Sequence, residues 1–184
     1  MDLGLFIQRW TFLSQAVQVR FTFNLSDAAG EYPRIGVRCD LPRQWSSVKY
    51  LGLGPHENYP DRLDGAWVGE HHATVDELYV PYIVPQEHGL RCRMRRLDLV
   101  GGGEEALRIS GTGAWSFALQ KYSIEQLWTT AHSDELQDED VYHLYLDAAH
   151  RGVGTATCGP DTREEYRLRG GVYQLELLFE ATEP

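Results

Sequence analysis

The segment Gly52-Leu53-Gly54-Pro55-His56-Glu57-Asn58-Tyr59-Pro60-Asp61-Arg62 holds the densest set of reactive side chains in the sequence. His56, Glu57 and Asp61 are residue types that can pass protons to and from a substrate, so together they form a candidate acid/base constellation. The same stretch has a structural alternative, in which Asn58, Asp61 and Arg62 lock a long loop through charge-assisted hydrogen bonds. Two glycines and two prolines predict a fixed loop here rather than a strand. Gly52-x-Gly54 does not open a helix after a strand, so it is not a dinucleotide fingerprint. A second loop, Val80 to Gly89, again combines prolines with Glu87 and His88. The seven histidines never adopt H-x-H or H-E-x-x-H spacing, which leaves Glu70-His71-His72 a poor metal signal. No G-x-S-x-G elbow supplies a hydrolase nucleophile. Cys158 lies in Thr157-Cys158-Gly159-Pro160, which reads as a turn, where functional residues concentrate.

The elements that must position these residues are strands. Val17, Val19, Phe21, Phe23 and Leu25 alternate with Gln18, Arg20, Thr22 and Asn24, the pattern of a strand with one wet face. Ile35, Val37, Cys39 and Leu41 repeat it, as do Tyr173, Leu175, Leu177 and Phe179. Val141 to Leu146, Trp115 to Leu119 and Leu107 to Ile109 also read as strands. Glycine-rich punctuation at 27–30, 101–103 and 169–171 separates them. One short helix is predicted, with Ser123 as N-cap and Gln126 completing a capping box. The acidic run Asp134 to Asp140 is a solvated loop, lacking the alternating ligands and glycine of a calcium loop. Many short strands and one short helix predict an all-β, antiparallel β-sandwich, with no internal repeat and no domain-marking linker.

Composition narrows the function classes. The chain has 184 residues and a formal charge of −10, a size for one domain or two small ones. An acidic chain without a dense basic run is poorly suited to nucleic acid. No apolar run approaches the ~20 residues of a membrane helix, so no membrane partner is expected. Met1 to Trp10 begins with an acid and has no basic region, unlike a secretory signal. Cys39, Cys92 and Cys158 are odd in number and form no C-x-x-C pair, which fits a cytoplasmic protein without disulfides. Cys39 and Cys92, in alternating patterns, are expected to pack as small hydrophobes.

Leu51 to Arg62 resembles the signature that opens the C-terminal domain of large β-galactosidases of glycoside hydrolase family 2. Further pieces follow in the family's order: Tyr79 to Arg91, Tyr122-Ser123 with Leu127 to His132, then Arg151 to Gly154 and Cys158-Gly159-Pro160. The resemblance covers about Arg34 to Phe179. It implies a supersandwich, the fold shared with galactose mutarotases, as a domain over 17–184; residues 1–16 find no place in it. The family's domain begins further upstream and includes a loop that helps close the active site, so the sandwich is expected to be incomplete at its N-terminal side.

Such enzymes hydrolyse terminal β-galactosides such as lactose with retention, using two carboxylates ~5–5.5 Å apart. In the family both lie on a (β/α)₈ barrel, which typically needs ~250 residues and alternating strands and helices. This chain therefore resembles the C-terminal domain or small subunit alone, with no catalytic residue and no activity by itself. The implied partner is a large chain, or N-terminal domains, carrying the barrel; galactoside would bind only in the assembled enzyme. No cofactor or metal is expected in this chain, since the whole enzyme's Mg and monovalent cation are bound on other domains. Cys158, aligned through Pro160, takes the place where some members stack a tryptophan on the sugar, which makes it the candidate substrate-binding residue. A thiol there removes a flat platform of ~200 Å². A sheet edge left unpaired would favour association with the partner or with a second copy. Two alternatives stay open. One is a free-standing galactoside-binding sandwich using Trp45, Trp67, Trp115 or Trp128, the last two expected in the core. The other is aldose mutarotation with His88, His143 and Glu87.

Overall fold

The computed structural model describes residues 3–102, 105–154 and 159–182. In chain order the elements are β1 (Gly4–Phe12), β2 (Ala16–Leu25), β3 (Arg34–Pro42), β4 (Ser47–Gly54), β5 (Trp67–Thr74), α1 (Val75–Leu78), β6 (Arg91–Val100), β7 (Ala106–Gln120), α2 (Ile124–Thr129), β8 (Val141–His150) and β9 (Gly171–Thr182). All strand pairings are antiparallel, in the order β1-β2-β9-β7-β6-β4-β5, with β8 and then β3 branching from β7. The all-β, sandwich-like architecture agrees with the period-two pattern.

The branch follows from the length of β7. Residues 106–111 pair with β9, and residues 116–120 pair with β8. Between them Gly113 has φ +78°, a conformation open to glycine but costly for residues with a Cβ. The strand thus belongs to both halves. Its inward side chains, Ile109, Trp115, Phe117 and Leu119, join Val19, Phe21 and Phe23 of β2, Leu144 and Leu146 of β8, and Leu175 and Leu177 of β9 in one buried cluster. The wet-face strands of the sequence are thus the walls of the core.

Several elements differ from the sequence expectation. Gly52, Leu53 and Gly54 end strand β4, so the fixed loop begins only at Pro55. Burial on both sides explains this, because Gly52 lets Met94 approach where a Cβ would lie 2.0 Å from the Met94 methyl carbon. A second helix, the single turn α1, is closed by a capping box between Thr74 and Glu77. Residues 4–12 form β1, which pairs with β2 and is exposed along its whole length. Cys39 is exposed rather than packed, since β3 is an edge strand paired only with β8; Cys92 is buried. Trp115 is in the core, but Trp128 is 88% exposed. In α2 the inward stripe is Leu127, and the next residue turns ~100° away from it.

Candidate functional site

The signature loop runs from Pro55 to Arg62, between β4 and β5, and its side chains face three neighbouring segments. Asn58 is fully buried. Its Nδ2 donates to the carbonyls of Leu53 and His56, at 3.2 and 3.0 Å, while its Oδ1 accepts the Cys92 N–H at 2.8 Å. That pins the turn to the start of β6. Glu57 faces the loop preceding β6: it accepts the Gly89 N–H at 2.7 Å, the Tyr82 hydroxyl, and Arg62 Nη2 at 3.0 Å. Asp61 faces the segment after β8, accepting the N–H groups of Val153 (3.1 Å) and Gly154 (2.6 Å) and the Thr162 hydroxyl (3.0 Å). It borders a cleft lined also by Gly154, Pro160, Thr162, Arg163 and Tyr166. His56 is exposed. The acid/base constellation therefore does not converge, and the structural alternative describes this loop.

Against the loop lies a polar network in which Asp147, His150 and Tyr59 are buried and Arg34 and Glu87 are half-buried. Arg34 on β3 grips both oxygens of Asp147 on β8, at 3.2 and 2.5 Å, and its Nη1 reaches Glu87 Oε2 at 3.2 Å. Burial works against the Arg34 charge, but Asp147 and Glu87 outweigh it and raise its pKa. The Tyr59 hydroxyl, in a fully buried side chain, donates to Glu87 Oε1 at 3.4 Å. The Tyr59 ring meets His150 edge-on, with centroids 5.4 Å apart. His150 Nδ1 donates to the Arg151 carbonyl at 2.7 Å, and its Nε2 lies 3.8 Å from Glu87 Oε1. Burial, and then the Arg34 charge, lower the His150 pKa. Burial also pushes the Glu87 carboxyl up to about 7, against the pull of Arg34.

The residues considered for mutarotation separate. Glu87 is in this network, whereas His88 Nδ1 donates to the Gln86 carbonyl at 3.0 Å and packs edge-on against Tyr79. His143 sits between Asp40 and Glu139, at 2.9 and 2.8 Å, away from both. Glu139, in the acidic run, is more than a solvated charge: it accepts from Ser123 and Gln126 at the start of α2. Those bonds hold its pKa low although burial opposes them. His71 and His72 point to opposite faces of β5. No group of three metal-ligating side chains occurs among the described residues, and no described helix is long and apolar enough to cross a membrane. Cys158 lies outside the described residues.

Fold and site together define a β-sandwich module whose motif carboxylates anchor its own loops. The chain belongs to the β-galactosidase small-chain family, whose model matches residues 5–179. It is 44% identical over 148 residues to a β-galactosidase of Vibrio cholerae, covering 80% of this chain and 14% of that protein. It is 37% identical over 155 residues to a β-galactosidase of an Arthrobacter species, covering 82% and 15%. Against a β-galactosidase of Pseudoalteromonas haloplanktis it is 36% identical over 165 residues, covering 89% and 15%. The chain thus spans about a seventh of the length of these relatives.

Proposed function

We propose that this chain is the non-catalytic part of a retaining, cytoplasmic β-galactosidase, the small subunit or C-terminal domain, and that it completes the sugar-binding mouth and the assembly. The two carboxylates that cleave terminal β-D-galactosides such as lactose would come from a large chain or from other domains, together with Mg and a monovalent cation. One observation carries this reading: Glu57 and Asp61, the carboxylates of the family signature, are both occupied as acceptors for backbone N–H groups of neighbouring loops. Carboxylates so engaged hold loops in place instead of attacking a glycosidic bond. The segments Val153–Gly154 and Thr162 are thereby fastened to the signature; the resemblance to the family assigns this region to the sugar mouth.

Strand β1 is the surface assigned to assembly. Its Leu5, Phe6, Ile7, Trp10 and Phe12 are exposed, and among the described strands none but β2 pairs with residues 5–12, a combination that invites another strand. The test is a chromogenic galactoside assay on the purified chain, alone and with a barrel-bearing large chain. Activity is expected only in the mixture; nitrophenol release by the chain alone overturns the proposal. A second reading, a free galactoside-binding module, draws on the exposed Trp67, whose ring lies edge-on to His71. Calorimetry with galactose and lactose separates the two, because the first expects no heat of binding from the isolated chain.

A further inference from the structure

The hydrogen bonds at the two ends of β1 fix which of its backbone groups face outward. The Leu3 carbonyl accepts from the Ser26 N–H at 3.0 Å, and the Leu13 N–H donates to the Ala16 carbonyl at 2.8 Å. The register with β2 runs unbroken between those pairs. In an antiparallel ladder the backbone groups of successive residues turn alternately toward one neighbour and the other. The odd-numbered residues of β1 therefore face β2, and Phe6, Gln8, Trp10 and Phe12 turn their N–H and C=O groups to the outer edge. The side chains of three of these residues extend the apolar face of β2, since Phe6 lies opposite Phe23, Trp10 opposite Val19 and Phe12 opposite Val17. Phe6 stacks on Phe23 with centroids 4.9 Å apart, yet Phe6, Trp10 and Phe12 remain exposed. Charge singles out the same strand. Residues 4–12 hold no acid and one base, Arg9, in a chain of formal charge −10. Two such chains repel one another overall, and a strand without acids is where they approach at low electrostatic cost.

We propose that β1 pairs antiparallel with β1 of a second copy of this chain, across a two-fold axis at Gln8. This rests on the reading of β1 as the assembly surface and names what that surface takes. A two-fold interface must be self-complementary. With the axis at Gln8, outward-facing residues meet outward-facing residues: Gln8 meets Gln8, and Phe6 meets Trp10 in both halves, aromatic against aromatic. On the other face Ile7 meets Arg9 and Leu5 meets Thr11. An axis at Arg9 would set two guanidinium groups directly opposite each other, and an axis at Ile7 would set Phe6 against Gln8. In the sheet order β1 stands at the opposite end from β4 and β5, so the second copy takes a strand that carries none of the signature loop.

Disulfide cross-linking of the full chain reads the register, in a background of Cys39→Ser and Cys158→Ser with oxidised glutathione as the oxidant. Residues opposed in a hydrogen-bonded pair lie about 5.5 Å apart at Cα, within the ~4.4–6.8 Å that a disulfide spans. Gln8→Cys is expected to double its mass on a non-reducing gel. Ile7→Cys and Arg9→Cys set their two thiols two residues out of line, ~7 Å along the strand, and are expected to keep the single-chain mass. Cross-linking through position 7 or 9 instead of 8 overturns the register. Gln8→Cys that keeps the single-chain mass overturns the pairing, as does a parent chain that scatters light as a monomer. When the Gln8→Cys chain is mixed with the barrel-bearing large chain, the cross-link is expected to persist, and its loss overturns the choice of a second copy. Galactosidase activity of that mixture is measured separately. Activity without the cross-link overturns the pairing and leaves the functional reading standing, whereas a cross-linked mixture without activity overturns the functional reading.

Discussion

Replacing Glu87 by glutamine should change how stability depends on pH. Burial is the main reason the Glu87 carboxyl sits at about 7 instead of its ordinary 4.5, with Arg34 opposing and Asp147 reinforcing the shift. Between those two values the folded chain holds a proton that the unfolded chain has released, so stability falls as pH rises through the window. The stabilising contribution is complete below about 4.5 and is lost above about 7. A shift of about 2.5 units at ~1.4 kcal/mol per unit gives an upper value of about 3 kcal/mol. Glutamine keeps the shape and an acceptor for Tyr59 but cannot ionise; its NH₂ faces Arg34 Nη1, a cost that does not vary with pH, while Arg34 retains both oxygens of Asp147. Relative to the parent chain, Glu87→Gln should therefore gain up to about 3 kcal/mol between pH near 4.5 and pH about 8. Urea unfolding followed by tryptophan fluorescence, repeated across that range, measures the difference. A difference between the two proteins that does not vary with pH would refute the reasoning, because the other titrating groups are common to both and cancel.

Asn58→Ala should cost about 2–4 kcal/mol in the same urea assay, since it orphans the buried Cys92 N–H and two carbonyls. Trp115→Ala should cost about 3–5 kcal/mol, whereas Trp128→Ser should stay within about 0.5 kcal/mol despite the same starting residue. Light scattering at micromolar concentration should show the chain associated rather than monomeric, and Ile7→Lys on the β1 edge should shift it toward monomer; a parent chain that is already monomeric contradicts this. In the assembled enzyme, Cys158→Ala and Cys158→Trp should change kcat/KM in opposite directions; if neither changes it, Cys158 does not contact the sugar.

The sequence made the walls of the core legible where one face of a strand meets water. In β2 and β9, Val19, Phe21, Leu175 and Leu177 alternate with polar residues because solvent lies on one side. The pattern fails at β4, whose Gly52, Leu53 and Gly54 are buried in succession, and in β6, where the buried Asp98 interrupts the apolar run because Arg108 pairs with it from β7. It fails again at β1, where both faces carry apolar side chains. Cys39 shows the limit from the other side, since alternation specifies a strand but not whether a second strand covers it. The residue types of the signature loop were visible, and so was its role as a lock. Its targets were not: Asp61 meets Val153, Gly154 and Thr162 across roughly ninety to a hundred positions, and no local pattern encodes a partner so distant. Glu87 likewise acquires its neighbours Arg34, Tyr59 and His150 only when the chain closes.

The pairing of β2 with β9 joins residues 16–25 to residues 171–180. During synthesis the β1–β2 hairpin must wait for the chain between residues 25 and 171 before its inner neighbour exists. Until then Phe21 and Phe23 have no opposite wall, and an apolar hairpin in that condition is prone to pair with whatever strand is nearby. Once β9 arrives, it docks between that hairpin and β7. A ribosome that stalls before residue 171 would therefore leave exposed an amphipathic ribbon attached to a half-built wall, and the burden on chaperones should be greatest in that interval.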